Sequence, residues 1–172
     1  RNSILHKNDV FCCIGKIRET KKSTEMKRKE IIERIIAEQK KTILGLQETT
    51  ENYRAAADMD EESTHDTEDY SHISQAKDMQ LRYEQMLAEA QRNLAFLQDE
   101  HEAVHDEIEF GTIIETDKNY LFVGIPVPVF KMDGKDVVSF SDEAPIFKKI
   151  RDKKVGDHVE IGSNSYKIIS IS

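Results

Sequence analysis

The chain has no apolar run approaching the roughly 20 residues that a membrane-spanning helix needs. Its first 25 residues also lack the continuous apolar stretch of a signal peptide. Cysteine is nearly absent, and the only two, Cys12 and Cys13, are adjacent. Sequence neighbours rarely form a disulfide, and two thiolates alone do not complete a zinc site, so a reduced, cytoplasmic protein is expected. Positive charge is in short supply: 25 Lys and Arg against 33 Asp and Glu leave a net charge of −8. A free-standing duplex-binding role is thereby disfavoured, because phosphate contact needs clustered Lys and Arg. An acidic chain points instead to a basic protein partner or a metal. Proline and glycine are scarce over a long stretch. All three prolines and five of the seven glycines follow Glu109, and only Gly15 and Gly45 precede it. Helix breakers gathered at one end place a domain boundary near residues 104–109.

What is present suits long solvated helices better than one large core: 38% of the 172 residues are hydrophobic and 34% charged. Residues 1–25 are net basic and show no clear period, and a helical pattern begins at Met26. The expectation is that 1–25 form a disordered or upstream extension, with Met26 the natural start.

Two segments carry heptads. The first runs Ile32, Ile36, Gln39, Ile43, Leu46, Thr50, Tyr53, Ala57. The second runs Ile73, Ala76, Gln80, Tyr83, Leu87, Ala90, Leu94, Leu97, His101, Val104. Spacings of four and three alternate throughout, which is a coiled-coil seam. Folding the segments back pairs Ile36 with Leu94, Ile43 with Leu87, Leu46 with Tyr83, Thr50 with Gln80, Tyr53 with Ala76 and Ala57 with Ile73. The turn then falls near His65. The prediction for 26–106 is an antiparallel helical hairpin, roughly 38 Å from Ile32 to Ala57 at 1.5 Å per residue. Such a rod has little interior for a pocket and suits reach and contact. The seam is used internally, which predicts a monomer.

The tip, residues 58–69, holds seven carboxylates and no Lys or Arg. So many like charges are costly unless water, helix dipoles or a cation relieves them. Ser63 and Asp66 fit a reciprocal cap of the second helix, and Asp66, Glu68 and Asp69 then lie in its first turn, where the dipole favours anions. Asp60, Glu61 and Glu62 have no such local reason. They are either a solvated loop or donors to a hard cation such as Mg²⁺ completed by a partner's ligands.

Residues 107–172 alternate in the β manner. Strands are predicted over 108–115, 120–125, 137–140, 158–161 and 166–171, with turns at Asp133-Gly134 and Gly162-Ser163-Asn164 and a short helix at 144–151. The fold class is α+β: a long antiparallel helical hairpin followed by a small antiparallel sheet domain with one short helix. Lys148, Lys149, Lys153 and Lys154 form a basic cluster, read as a solvated face or as a meeting point for an acidic surface or RNA. His101-Glu102-Ala103-Val104-His105 fits the H-E-x-x-H pattern of zinc peptidases, whose spacing sets two imidazoles on one helix face. His101 and Val104 also continue the heptad seam. Ile108 and Gly111 stand where the longer signature wants Gly and His.

Several stretches carry a family resemblance. They are Phe110-Gly111-Thr112, Tyr120-Leu121-Phe122-Val123-Gly124, Ala144-Pro145-Ile146, Lys154-Val155-Gly156-Asp157-His158-Val159-Glu160-Ile161 and Tyr166-Lys167-Ile168-Ile169. With the acidic-tipped hairpin before them, residues 26–172 resemble the bacterial Gre-type transcript cleavage factors. The resemblance implies an FK506-binding-protein-like C-terminal domain. It also implies a transcription elongation factor whose hairpin enters the secondary channel of RNA polymerase. There two tip acids, in a pattern Asp-Leu-Ser-Glu-Asn-Ala-Glu-Tyr, help hold a second Mg²⁺, and the polymerase cleaves backtracked RNA by two-metal chemistry. On that reading the chain alone catalyses nothing, nascent RNA is met only in the complex, and DNA binding is expected with the transcription role. Aligning Tyr70 on the family tyrosine puts Asp66 at the Glu position and Ser63 at the Asp position, so one family acid is missing there and a loop shift would be needed to bring Asp60, Glu61 or Glu62 into its place. Asp66 and Glu62 are taken as the metal pair. A non-cleaving regulator of the same channel is the nearest alternative, and a zinc peptidase through His101 and His105 a more distant one.

Overall fold

In the computed structural model, the described backbone comprises residues 7–58 and 67–172, with side chains described from residue 19 onward except those of 67 and 69. Helix α1 (Lys7–Asp58) and helix α2 (Thr67–Glu100) are followed by β1 (Ile113–Thr116), β2 (Asn119–Val123), β3 (Phe130–Met132) and β4 (Lys135–Phe140). Helix α3 (Pro145–Ile150) and strands β5 (His158–Ile161) and β6 (Asn164–Ile171) complete the α+β fold. Among the described residues no helix is long and apolar enough to cross a membrane. The chain divides into two compact units, 34–100 and a second made of 1–33 with 101–172.

The unit 34–100 is the helical hairpin. Ile43, Ala57, Ala76, Ala90 and Leu97 are buried along its seam, as are the polar Gln39 and Thr50. Each buried polar group is satisfied: Gln39 Nε2 donates to Ala90 O (3.0 Å) and Thr50 Oγ1 to Leu46 O (2.7 Å). The Tyr53 and Tyr83 rings stack, with centroids 5.4 Å apart and planes 14° from parallel. Helical side chains lean toward their own N-terminus, so in an antiparallel pair they lean toward each other. Tyr53 and Tyr83 each lie three residues beyond the Thr50–Gln80 level and meet there. The Arg54–Glu84 ion pair (3.3 Å) follows the same geometry one residue further on. Gly45 lies in open space, where a Cβ would touch nothing. Its cost is backbone entropy, about 1 kcal/mol relative to Ala.

The second unit is built on a six-stranded sheet in the order β3-β4-β2-β1-β6-β5. All neighbours are antiparallel except β2 and β4, which pair in parallel. The small antiparallel sheet expected from the sequence is present, and β2–β4 is a parallel pair within it. The loop 124–129 carries the chain back across the end of β2, so that the β3–β4 hairpin lays β4 alongside β2. Ser139 Oγ holds that loop, accepting from Val127 N (2.8 Å) and donating to Val127 O (3.2 Å). Asp133 and Gly134, both at positive φ (51° and 77°), make the tight turn between β3 and β4. Strand β3 was not anticipated, since three residues at a sheet edge carry too little periodicity to read. Residues 108–112 are not a strand, although Ile108 is buried in the core.

Strand β2 is buried on both faces. Leu121 and Val123 join Ile108, Ile114, Phe140, Ile150, Val159 and Ile168 in the core on one side. Tyr120 and Phe122 point the other way, and α1 covers part of that face. Thr24, Lys27, Arg28 and Ile31 close against Ile113, Tyr120, Ser170 and Ser172, leaving a void of only about 10 Å³. Helix α1 begins at Lys7, so Met26 marks no boundary within it. Residues 26–33 group with the sheet rather than with the hairpin.

Candidate functional site

The tip residues singled out from the sequence, Asp60, Glu61, Glu62, Asp66 and the capping Ser63, lie outside the described residues. The helices that lead to and from them are described. Helix α1 ends at Asp58, after the buried Ala57, and α2 starts at Thr67. Glu68 and Tyr70 are exposed in its first turns, with Tyr70 57% open to solvent. The described parts of the two helices are joined by the Tyr53–Tyr83 stack and the Arg54–Glu84 pair.

The H-E-x-x-H residues do not form the helical pair that their spacing suggests. Helix α2 stops at Glu100, so His101 begins the turn that follows. Each imidazole meets a different set of carboxylates. His101 lies between Glu102 (Nδ1, 2.8 Å) and Glu33 (Nε2, 3.1 Å), whereas His105 Nδ1 meets Glu109 (2.6 Å). Glu102, the motif's would-be base, is tied to Lys29 at 2.7 Å. The hydrogen bonds from Lys29 and His101 hold its carboxyl below the usual range. This arrangement ties the segment after α2 to α1.

Two clusters were not anticipated. Arg28 is only 3% exposed and donates to three main-chain oxygens: Ala103 O (Nε, 3.0 Å), Gly111 O (Nη1, 2.9 Å) and Ser172 O (Nη1, 2.7 Å). In the sequence it stands between Lys27 and Lys29 and looks like any surface cation. The second cluster centres on Glu115 of β1, whose side chain is 15% exposed. Its Oε1 accepts from Lys135 Nζ (3.0 Å) and faces Lys27 Nζ (3.6 Å), and its Oε2 accepts from Ser170 Oγ (3.4 Å). Burial pushes the Glu115 carboxyl up, but the Lys135 hydrogen bond and the charges of Lys135 and Lys27 outweigh it and hold the group below its usual range. Burial likewise pushes the Lys27 ammonium down, yet Glu115 and Tyr120 hold it above its usual value.

A carboxyl depressed on folding stabilises the protein above its unfolded pKa, about 4.3 for Glu, and that contribution disappears as pH falls through the folded value. Glu115→Gln is therefore expected to cost about 1 kcal/mol at neutral pH, a modest figure because the group is partly open to water. Urea denaturation at a series of pH values should show the two proteins converging below the acid transition. A constant gap across that range would mean that the loss comes from packing.

The chain matches no family model, no curated protein and no solved structure.

Proposed function

We propose that the chain is a Gre-type transcription factor that enters the secondary channel of RNA polymerase and stimulates the polymerase's own cleavage of backtracked RNA. The observation that carries this reading is the helix pair of unit 34–100, between whose helices the sequence bears a dense run of carboxylates, in one chain with a small, mostly antiparallel sheet domain. Its partners would be RNA polymerase and, within the complex, nascent RNA; its place would be the cytoplasm, and it would act as a monomer. The donor set at the tip is carboxylate oxygen, which fits Mg²⁺. Asp66 and Glu62 are the residues that would hold the ion in the polymerase complex, where it supplies an activated water. This chain's own part is to carry those carboxylates and keep them placed.

Ser63 at the position of a family acid favours a second reading, a regulator that occupies the channel without promoting cleavage. The experiment is RNA cleavage by stalled, backtracked polymerase with and without the protein. Acceleration that Asp66→Ala returns to the rate of polymerase alone is the expected result. No acceleration, with displacement of another channel-binding factor, would favour the non-cleaving regulator. Neither effect would overturn both readings.

A further inference from the structure

Residues 148–154 read Lys148-Lys149-Ile150-Arg151-Asp152-Lys153-Lys154, five cations and one anion in a chain of net charge −8. Ile150 is fully buried in the sheet core and anchors the segment. Lys148, Lys149, Arg151 and Lys154 are exposed, and Lys153 is half-buried. Lys148 and Lys149 lie in the last turn of α3, where cations offset the helix carbonyls. That local reason does not extend to Lys153 and Lys154, which follow the helix. Arg151 pairs with Asp152 at 3.4 Å, while the four lysines have no ion-pair partner among the described residues.

Beside these cations runs a groove of about 630 Å³ between the 151–155 segment and the 106–108 segment. Arg151, Lys153 and Lys154 contribute positive charge to it, Ile108 and Val155 apolar surface, and Asp106, Glu107 and the Arg151-paired Asp152 carboxylates. We propose that this face of the sheet domain binds single-stranded nucleic acid. Its lysines meet backbone phosphates, the aliphatic surface takes the face of an unstacked base, and Asp106 and Glu107 accept from base amino groups. An acidic polypeptide fits less well, because it offers neither a flat base for the aliphatic surface nor base amino groups for Asp106 and Glu107. The strong negative charge elsewhere limits the footprint to a short strand. The inference does not use the hairpin tip and stands whether or not the channel reading holds.

The test is fluorescence anisotropy of a short labelled RNA of mixed sequence titrated with the full chain over a range of salt. Binding should weaken with salt, and the combined variant K148Q/K149Q/K154Q should lose about tenfold in affinity at low salt. Its salt slope should fall by about 2, or roughly 0.7 per lysine. A variant with the same charge change elsewhere, K21Q/K22Q/K40Q, should bind as the parent does, and circular dichroism should show all three proteins equally folded. Absence of binding at low salt, an equal loss in the remote variant, or competition by polyglutamate as effective as that by unlabelled RNA would each overturn the proposal.

Discussion

Arg28→Ala is expected to destabilise the sheet domain by about 3–5 kcal/mol. The guanidinium is buried and its planar fork reaches three main-chain oxygens from distant parts of the chain: Ala103, Gly111 and Ser172. Ser172 O keeps a second bond, from Ile113 N at 2.7 Å, but the other oxygens lose a charged donor in a place where water cannot readily replace it. Alanine would also leave a hollow where Arg28 now closes α1 against Ile113 and Tyr120. Lysine keeps the charge but not the fork, so Arg28→Lys should recover only part of the loss. Urea denaturation followed by circular dichroism gives both values. A cost below about 1 kcal/mol for the alanine variant would mean that the bonds to these oxygens add little to stability.

The seam of the hairpin was legible because a heptad repeat is a direct image of one buried stripe, and Ile43, Ala57, Ala76, Ala90 and Leu97 are buried as the repeat requires. The Tyr53–Tyr83 stack was not. Pairing residues by level put Tyr53 opposite Ala76 and Tyr83 opposite Leu46, whereas long side chains lean toward their own N-termini and meet between levels. In the sheet domain the longer strands and α3 were readable from alternation and turn residues. The parallel β2–β4 pairing was hidden, because alternation is the same for either direction of a neighbour. Arg28, Lys27 and Glu115 gave no sign of their roles. Whether a charged residue is buried depends on what the other end of the chain brings to it, and Arg28 bonds to Ser172 across 144 positions. At the tip, the residues that would act are legible as chemistry alone, since they lie outside the described residues.

The same limit applies to Gly124, whose sequence context gives no reason for a glycine. Its backbone needs no left-handed conformation; the reason is its neighbour two positions back. A Cβ at 124 would lie 2.7 Å from both Cε1 and Cζ of Phe122, which is fully buried and has little room to swing aside. Gly124→Ala alone is expected to cost about 1–3 kcal/mol through this overpacking. Phe122→Ala alone is expected to cost about 3–5 kcal/mol, from lost burial and the cavity left behind. Combined, the two should cost less than their sum by about 1–2 kcal/mol, because removing the ring vacates the space that the new methyl needs. Hydrogen bonding does not complicate the cycle, since Gly124 N donates to Phe140 O (2.7 Å) through the main chain in every variant. Additivity within about 0.5 kcal/mol in a denaturation-based double-mutant cycle would sink the idea that the ring dictates the glycine. The expected coupling would show that Gly124 is held as glycine by contact with Phe122, on the face of β2 opposite Leu121 and Val123.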